Sequence, residues 1–163
     1  MKRNGIIVAS LFLSACSWFD PKFTSGKEGQ PLPDFELHKD SLTVLNTASI
    51  IKGKAFILYL YDPSCPFCRK ETEDIVKNMN DLRGISLYMV TSLPYSAMNK
   101  YSELYHLSSY PNLTLARDSA NDLLDYFKSP GVPYLAFYDE QKRLKQVLIG
   151  QIGFDKIKDI LRE

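Results

Sequence analysis

The sequence has little of what metal centres and nucleic-acid interfaces require. Its 163 residues include three cysteines and two histidines, few soft ligands for a metal. Twenty Lys and Arg oppose nineteen Asp and Glu, and the net charge of +1 without a basic stripe gives no case for nucleic-acid binding. There is no internal repeat and no low-complexity stretch. With 45% hydrophobic residues, the chain is expected to form one globular domain with a real core.

The sequence begins with an apolar run that is too short to cross a bilayer as a helix. Gly5 to Ala15 has about half of the ~20 residues that a membrane-spanning helix needs. It follows Lys2 and Arg3, and this arrangement is typical of a secretory signal peptide. The segment Leu13-Ser14-Ala15-Cys16 resembles the lipobox of bacterial lipoproteins, in which the cysteine is lipidated and becomes the first residue after cleavage. The alternative is an ordinary signal peptide with an incidental cysteine.

The lipobox resemblance predicts three parts of the chain. Residues 1–15 are expected to be the signal peptide, 16–30 a lipidated tether rich in turn formers, and 31–163 the folded domain. The resemblance implies a lipid-anchored protein of the bacterial cell envelope. Because Ser17 stands where an inner-membrane retention signal has Asp, the periplasmic face of the outer membrane is favoured over the inner membrane in a Gram-negative cell.

Hydrophobic patterning in the domain predicts an α/β order. Buried strands are expected at 55–61 and 85–91, and a helix at 65–83 makes them a parallel βαβ pair. Two short strands are expected before this unit and a closing helix at the end of the chain. Residues 94–128, between the βαβ unit and a later hairpin, form an insertion. The full set is short strands within 31–39 and 41–51, a helix at 94–107, a strand at 112–116, a helix at 120–128, a hairpin of 134–139 with 143–149, and a helix at 154–161.

Cys65 and Cys68 form a Cys-X-X-Cys motif at the start of the helix that follows a buried strand. Their spacing brings both sulfurs to one helix face, close enough for a disulfide. Unpaired backbone N–H groups and the helix dipole stabilise a thiolate at Cys65, the expected nucleophile. Cys68, less exposed, is expected to resolve the mixed disulfide, and Pro66 fixes the first turn of the helix.

The cysteine pair has two other interpretations, a structural zinc site and an inert structural disulfide. A structural zinc site needs four ligands, and with Cys16 lipidated only His38 and His106 offer nitrogen. An inert structural disulfide fits an exported protein, but so small a loop contributes little chain entropy. Neither a metal nor a cofactor is expected.

From about Gly29 to Glu163 the chain resembles the thioredoxin superfamily, in particular its membrane-anchored TlpA/ResA-like branch. The matching segments are Pro33-Asp34-Phe35, Gly53-Lys54, Cys65 to Glu71, Gly131-Val132-Pro133 and Gly150. The resemblance implies a thioredoxin fold, a central mixed β-sheet flanked by helices, here with an N-terminal extension and a central insertion.

The resemblance also implies roles for individual residues. Val132-Pro133 matches a cis-proline turn that pairs with extended substrate, the alternative being a trans proline that opens a strand. Glu71 matches an active-site carboxylate that moves the proton of Cys68, the alternative being a solvated helix acid. The loop dipeptide Pro66-Phe67 is expected to tune the reduction potential and to contact substrate.

Two positions depart from the family. Ser64 replaces the usual Trp before the first cysteine, and we expect it to be the N-cap of the helix. Tyr59 stands where thioredoxin has a buried Asp.

The sequence as a whole predicts a monomeric protein-disulfide reductase that acts on disulfide-containing envelope proteins and takes electrons from a membrane donor. A disulfide oxidase or isomerase, a peroxidase and a non-catalytic binding lipoprotein are the alternatives. The peroxidase pattern Pro-x-x-x-Thr/Ser-x-x-Cys is not met, because its first two fixed positions are Leu58 and Asp62. Neither the direction of electron flow nor the partner is fixed by the sequence.

Overall fold

A computed structural model of the chain describes residues 23–50 and 52–162. The predicted signal peptide and Cys16 lie outside the described residues. Within the described ranges, no helix is long and apolar enough to cross a membrane.

The elements follow the order expected from the sequence. Short 3₁₀ turns at Thr47–Ser49, Met79–Leu82 and Leu107–Ser109 separate some of them. The strands and helices of the described ranges are β1 Glu36–His38, β2 Val44–Asn46, β3 Phe56–Leu60, α1 Pro66–Lys77, β4 Ser86–Thr91, α2 Tyr95–Leu104, β5 Leu113–Arg117, α3 Asp122–Phe127, β6 Tyr134–Tyr138, β7 Leu144–Ile149 and α4 Phe154–Arg162.

One mixed sheet runs through the domain in the order β2-β1-β5-β4-β3-β6-β7. Strands β3, β4 and β5 are parallel, while β6 is antiparallel to both β3 and β7. The predicted parallel βαβ pair and the hairpin are therefore confirmed. All five residues of β3 are buried, because helices cover both faces of the sheet at its centre.

Alternation along β3 divides the core into two layers. Ile57 and Tyr59 point to the layer that holds α1 and α4, and Leu58 and Leu60 point to the layer that holds α3. Strand β3 therefore passes through the middle of the molecule and delivers the chain to Cys65 at its carboxyl end.

Helix α1 is shorter than the sequence predicts. It ends at Lys77 rather than near Arg83, because the Asn78 N–H reaches back to Ile75 O and the Asn78 side-chain amide donates to Asp74 O at 2.8 Å. These bonds satisfy carbonyls that a longer helix would use, and a 3₁₀ turn continues the chain.

The described part of the predicted tether makes contacts with the domain. Gly29 N–H donates to Leu144 O at 2.7 Å, and the Arg143 guanidinium donates to Gly29 O at 2.9 Å. Gly29 has a φ of +78°, a conformation that glycine adopts without steric cost. The Lys27 ammonium lies 4.8 Å from the centre of the Tyr126 ring. Contacts with the domain thus begin a few residues before Pro31.

Candidate active site

The cysteine pair lies where the chain leaves the central strand and enters α1. Cys65 is the residue that precedes the helix, and Pro66 occupies its first turn. Cys65 is partly exposed, whereas Cys68, one turn inside, is fully buried, and both are free thiols. A reagent that approaches from solvent therefore reaches the sulfur of Cys65 before that of Cys68.

Ser64 is not the N-cap of α1, contrary to our expectation. Cys65 occupies that position without a side-chain cap. The Ser64 N–H and hydroxyl instead both donate to Asp62 Oδ1 at 2.6 Å. An aspartate two residues earlier forms this kind of turn readily, and its carboxylate is a strong acceptor that holds Ser64 away from the helix start.

Two tyrosine hydroxyl groups, one from β3 and one from α2, lie next to the backbone carbonyl of Cys68. Tyr59, on β3, donates to Cys68 O at 2.9 Å, and the Tyr101 hydroxyl, on α2, lies 3.1 Å from the same oxygen. Tyr101 also donates to Thr72 Oγ1 at 2.8 Å, and Thr72 lies 3.3 Å from the Tyr59 hydroxyl. This buried network fixes the first turns of α1 against the sheet and α2.

The thiol of Cys68 is kept neutral by its surroundings. Burial raises the pKa of Cys68 to about 12, although the Asp62 N–H, which donates to Sγ at 3.4 Å, opposes this shift. Burial also raises the pKa of Tyr59 well above its usual value. Tyr59 therefore puts a neutral hydroxyl where thioredoxin has a carboxyl.

Sequence reasoning missed Thr72 and Tyr101. Thr72 lies four residues after Cys68 and shares its helix face, so the helical spacing was a usable signal. Tyr101 comes from the insertion, 33 residues from Cys68, and no local pattern connects the two.

Glu71 is buried rather than solvated. Its Oε2 accepts hydrogen bonds from Ile152 N–H at 2.9 Å and Gly153 N–H at 3.3 Å, and its Oε1 has no partner within the described ranges. Burial raises the pKa of Glu71, while the two N–H donors oppose that shift. Among the described residues its bonds join α1 to the start of α4, and none of them is to Cys68.

The predicted proline turn lies directly against Cys65. The Val132–Pro133 peptide bond is cis, as the resemblance implies. The Cys65 thiol donates to Val132 O over 3.8 Å, and Pro133 O accepts from Gly150 N–H at 2.8 Å.

Two exposed apolar residues follow Cys65 in the motif. Phe67, between the two cysteines, is 60% exposed, and Pro66 is also exposed. The structure therefore brings Cys65, Cys68, Pro66, Phe67 and the Val132–Pro133 turn together, with Glu71 behind them. Within the described part of the chain, no group of three His, Cys, Asp or Glu side chains is placed to hold a metal ion.

Comparison with known proteins gives matches along most of the chain. The model of the AhpC/TSA family matches residues 29–147. A curated protein of Haemophilus influenzae, described as uncharacterized, is 24% identical over 118 residues, which are 69% of this chain and 74% of that protein.

Solved structures resemble the fold at low sequence identity. A secreted Mycobacterium tuberculosis disulfide oxidoreductase homologous to E. coli DsbE has a TM-score of 0.67 at 19% identity, over 78% of this chain and 94% of that one. Enterococcus faecalis AhpC has a TM-score of 0.67 at 17% identity, over 83% and 91%. These likenesses confirm the thioredoxin-like fold that the sequence predicts.

Proposed function

The chain belongs to the AhpC/TSA family, and from this membership and the geometry of its two thiols we propose that it is a thiol–disulfide oxidoreductase that reduces disulfides of cell-envelope proteins. The observation that carries the proposal is the asymmetry of the pair. One sulfur is accessible beside an exposed apolar patch and a cis-proline turn, and the other is buried one helical turn away.

The asymmetry gives an order to the exchange reaction. The Cys65 thiolate attacks one sulfur of a substrate disulfide, a mixed disulfide forms, and the other substrate sulfur leaves and takes up a proton. The Cys68 sulfur, once deprotonated, then attacks Cys65 Sγ and releases the second substrate thiol. Two electrons and two protons pass to the substrate, and a Cys65–Cys68 disulfide is left behind.

The burial of Cys68 supports this order. A thiol whose pKa is raised to about 12 is a poor nucleophile at neutral pH, so it does not compete with Cys65 for the first attack. Formation of the mixed disulfide replaces the Cys65 thiol, one of the groups that raise the pKa of Cys68.

Substrate is proposed to dock on the exposed rim of the pair. An extended substrate backbone would pair with Val132 at the cis-proline turn, and Phe67 and Pro66 would contact its apolar side chains. Glu71 is proposed to exchange the proton of Cys68 during the second attack. In support, it is fully buried on the same helix, and its raised pKa makes its carboxylate a stronger base for the Cys68 proton.

Repeated turnover needs an electron donor for the oxidised protein. A membrane dithiol donor would reduce the Cys65–Cys68 disulfide after each turnover. We propose that the mature protein begins at lipidated Cys16, is a monomer and works in the bacterial envelope, with the periplasmic face of the outer membrane as the favoured location. In support, one protein of similar fold is described as secreted.

A peroxidase is the second candidate, because AhpC of Enterococcus faecalis shares the fold. Against it, Leu58 and Asp62 occupy the positions of the Pro and Thr/Ser in the peroxidase pattern. Leu58 is fully buried in the sheet and offers no polar group to a peroxide.

The reduction potential of the pair tests the proposal. The protein is equilibrated in thiol–disulfide buffers, and its free thiols are counted by alkylation, with Cys68→Ser as the control that has no two-thiol transition. A value near or below ~−250 mV supports a reductase, and a value near ~−120 mV makes the protein an oxidant. If the reduced protein reacts faster with hydrogen peroxide than with peptide disulfides, the peroxidase is the better description.

A further inference from the structure

A groove opens beside the active-site loop, where Ser64 stands in place of the bulky tryptophan of the family. Its volume is about 270 Å³. Pro63, Ser64 and Arg69 line the side next to Cys65, and Ala97, Lys100 and Leu104 line the side that belongs to α2. The Val132–Pro133 turn contributes no lining residue, so the groove is separate from the cis-proline surface.

The α2 side of the groove exposes a large apolar side chain, Leu104, on the same helix face as Lys100. Ala97, Lys100 and Leu104 follow one another at spacings of three and four, which places them on one side of the helix. Leu104 is 62% exposed although it is a large apolar residue. An apolar side chain of a bound polypeptide would cover it.

The rim of the groove carries two cations without ionic partners. Arg69 and Lys100 are both exposed, and the ion pairs of the described residues involve only Lys70 and Lys158 as cations. The Arg69 Nε–H donates to Pro63 O at 2.9 Å, which holds the guanidinium at the groove. The Lys100 ammonium donates no hydrogen bond to the described residues. Charge complementarity therefore favours a carboxylate in the occupant.

We propose that this groove binds the segment next to the disulfide of the substrate polypeptide, and that it selects a segment that carries both a large apolar side chain and a carboxylate. The inference rests on the proposed function, because the occupant is a substrate of the thiol exchange. Pro63 and Ser64, which line the groove, directly precede Cys65 and place such a segment beside the reactive sulfur. It adds a substrate preference that the cis-proline turn, which pairs with backbone, does not supply.

Three peptides test the inference. Each contains one disulfide and the same flanking Leu, and they differ at one position that is Glu, Gln or Lys. The measured quantity is the second-order rate constant for reaction of the reduced protein with each peptide disulfide. Exposed ion pairs are individually weak, and two of them give an expected preference of about three- to tenfold for the Glu peptide over the Lys peptide. This ratio is expected to shrink when the salt concentration rises from ~0.01 M to ~1 M.

A charge reversal and a matched control make the test specific. Lys100→Glu is expected to remove or invert the ratio. Lys54→Glu makes the same change of net charge at an exposed lysine before β3, at the opposite end of that strand from Cys65, and is expected to preserve the ratio.

Each outcome has one meaning. Equal rates for the three wild-type reactions, or a ratio that Lys100→Glu leaves intact, overturn the groove proposal and leave the proposed reductase standing. If none of the peptides reacts, the Gln peptide included, the proposed function itself is overturned and the groove proposal with it.

Discussion

The two sulfurs of the Cys-X-X-Cys motif differ because of where α1 begins. Cys65 precedes the helix and keeps contact with solvent, while Cys68 faces the layer between α1 and the sheet. A separation of three positions thus gives two identical side chains different roles, a nucleophile and a buried thiol. The same burial acts on Glu71, whose carboxyl lies among backbone groups rather than in water.

The difference in reactivity between the two thiols is a direct prediction. When the reduced protein is treated with iodoacetamide near pH 7, Cys65 is expected to be modified and Cys68 to stay free, because the pKa of Cys68 is raised to about 12 and its sulfur is buried. Peptide mapping by mass spectrometry measures both. Denatured protein is the control in which both cysteines react, and equal rates in the folded protein would contradict the structure.

The pH dependence of stability is expected to change in Glu71→Gln. Because the folded pKa of Glu71 is raised above 4.5, the folded protein binds more protons than the unfolded chain across the window above pH 4.5, so this residue makes stability fall as pH rises there. Glutamine can still accept from Ile152 N–H but carries no charge. The free energy of unfolding of the variant relative to wild type should therefore increase with pH through that window.

Urea unfolding at a series of pH values measures this difference. Glu103→Gln makes the same change at an exposed carboxyl and is the matched control. A flat profile for Glu71→Gln would show that its carboxyl is not held in a neutral-favouring environment.

At the scale of elements, polar side chains fix where helices start and how they join. Asp118 follows β5, and its two carboxylate oxygens accept the N–H groups of Asp122 and Leu123 at the start of α3. This six-residue helix is too short to be stable by itself, so its first turn depends on such a cap and on packing.

Asp118→Ala is expected to destabilise the domain by about 1–2 kcal/mol, because two N–H groups of α3 lose their acceptor. Chemical denaturation measures the change. Asp159→Ala removes an exposed carboxylate from α4 and should change stability by less than about 0.5 kcal/mol. Similar values for both variants would mean that Asp118 does not cap α3.

The joint between α1 and α2 gives a second prediction at this scale. Tyr101→Phe keeps the ring but removes the hydroxyl that donates to Thr72 Oγ1, and should cost about 1 kcal/mol of stability. Tyr105→Phe is the control, since its ring centre lies 4.8 Å from that of Tyr101 while its hydroxyl makes no hydrogen bond to the described residues. Thermal unfolding compares the two, and an equal shift in Tm would contradict a specific role for the Tyr101 hydroxyl.

At the scale of the whole molecule, the sheet holds the reactive end of β3 between two layers. The segment before β1 is bonded to β7 through Gly29, so the start of the described chain lies along the β7 side of the sheet. The proposed lipid at Cys16 would therefore reach the domain through the short stretch before these contacts.

The lipidation proposal predicts the mass of the mature protein. In cells supplied with a labelled fatty acid, the wild-type protein should carry the label on a mature chain that begins at Cys16, and Cys16→Ser should carry none. Mass spectrometry of the purified protein measures both. Cys65→Ser changes a different cysteine and should keep the label. A wild-type chain cleaved elsewhere, without label, would make the segment an ordinary signal peptide.

Local patterns in the sequence determined the order of elements and the place of the cysteine pair. The apolar run at 55–61, the helix after it and the parallel strand at 85–91 follow from periodicity, which depends on near neighbours only. The motif from Cys65 to Cys68 needs no more than the start of that helix. Burial of β3 on both faces also follows, because a run without polar alternation has no face for water.

Tertiary structure alone decided which distant groups meet the pair. Tyr101 reaches Cys68 O across 33 residues, and Ile152 N–H reaches Glu71 across 81. Cys65, not Ser64, stands at the N-cap position of α1, because Ser64 is held in a competing turn by Asp62. These contacts could not be predicted from the sequence. The direction of a side chain at a helix end or in an insertion depends on the elements that pack against it, and those are fixed only in the folded structure.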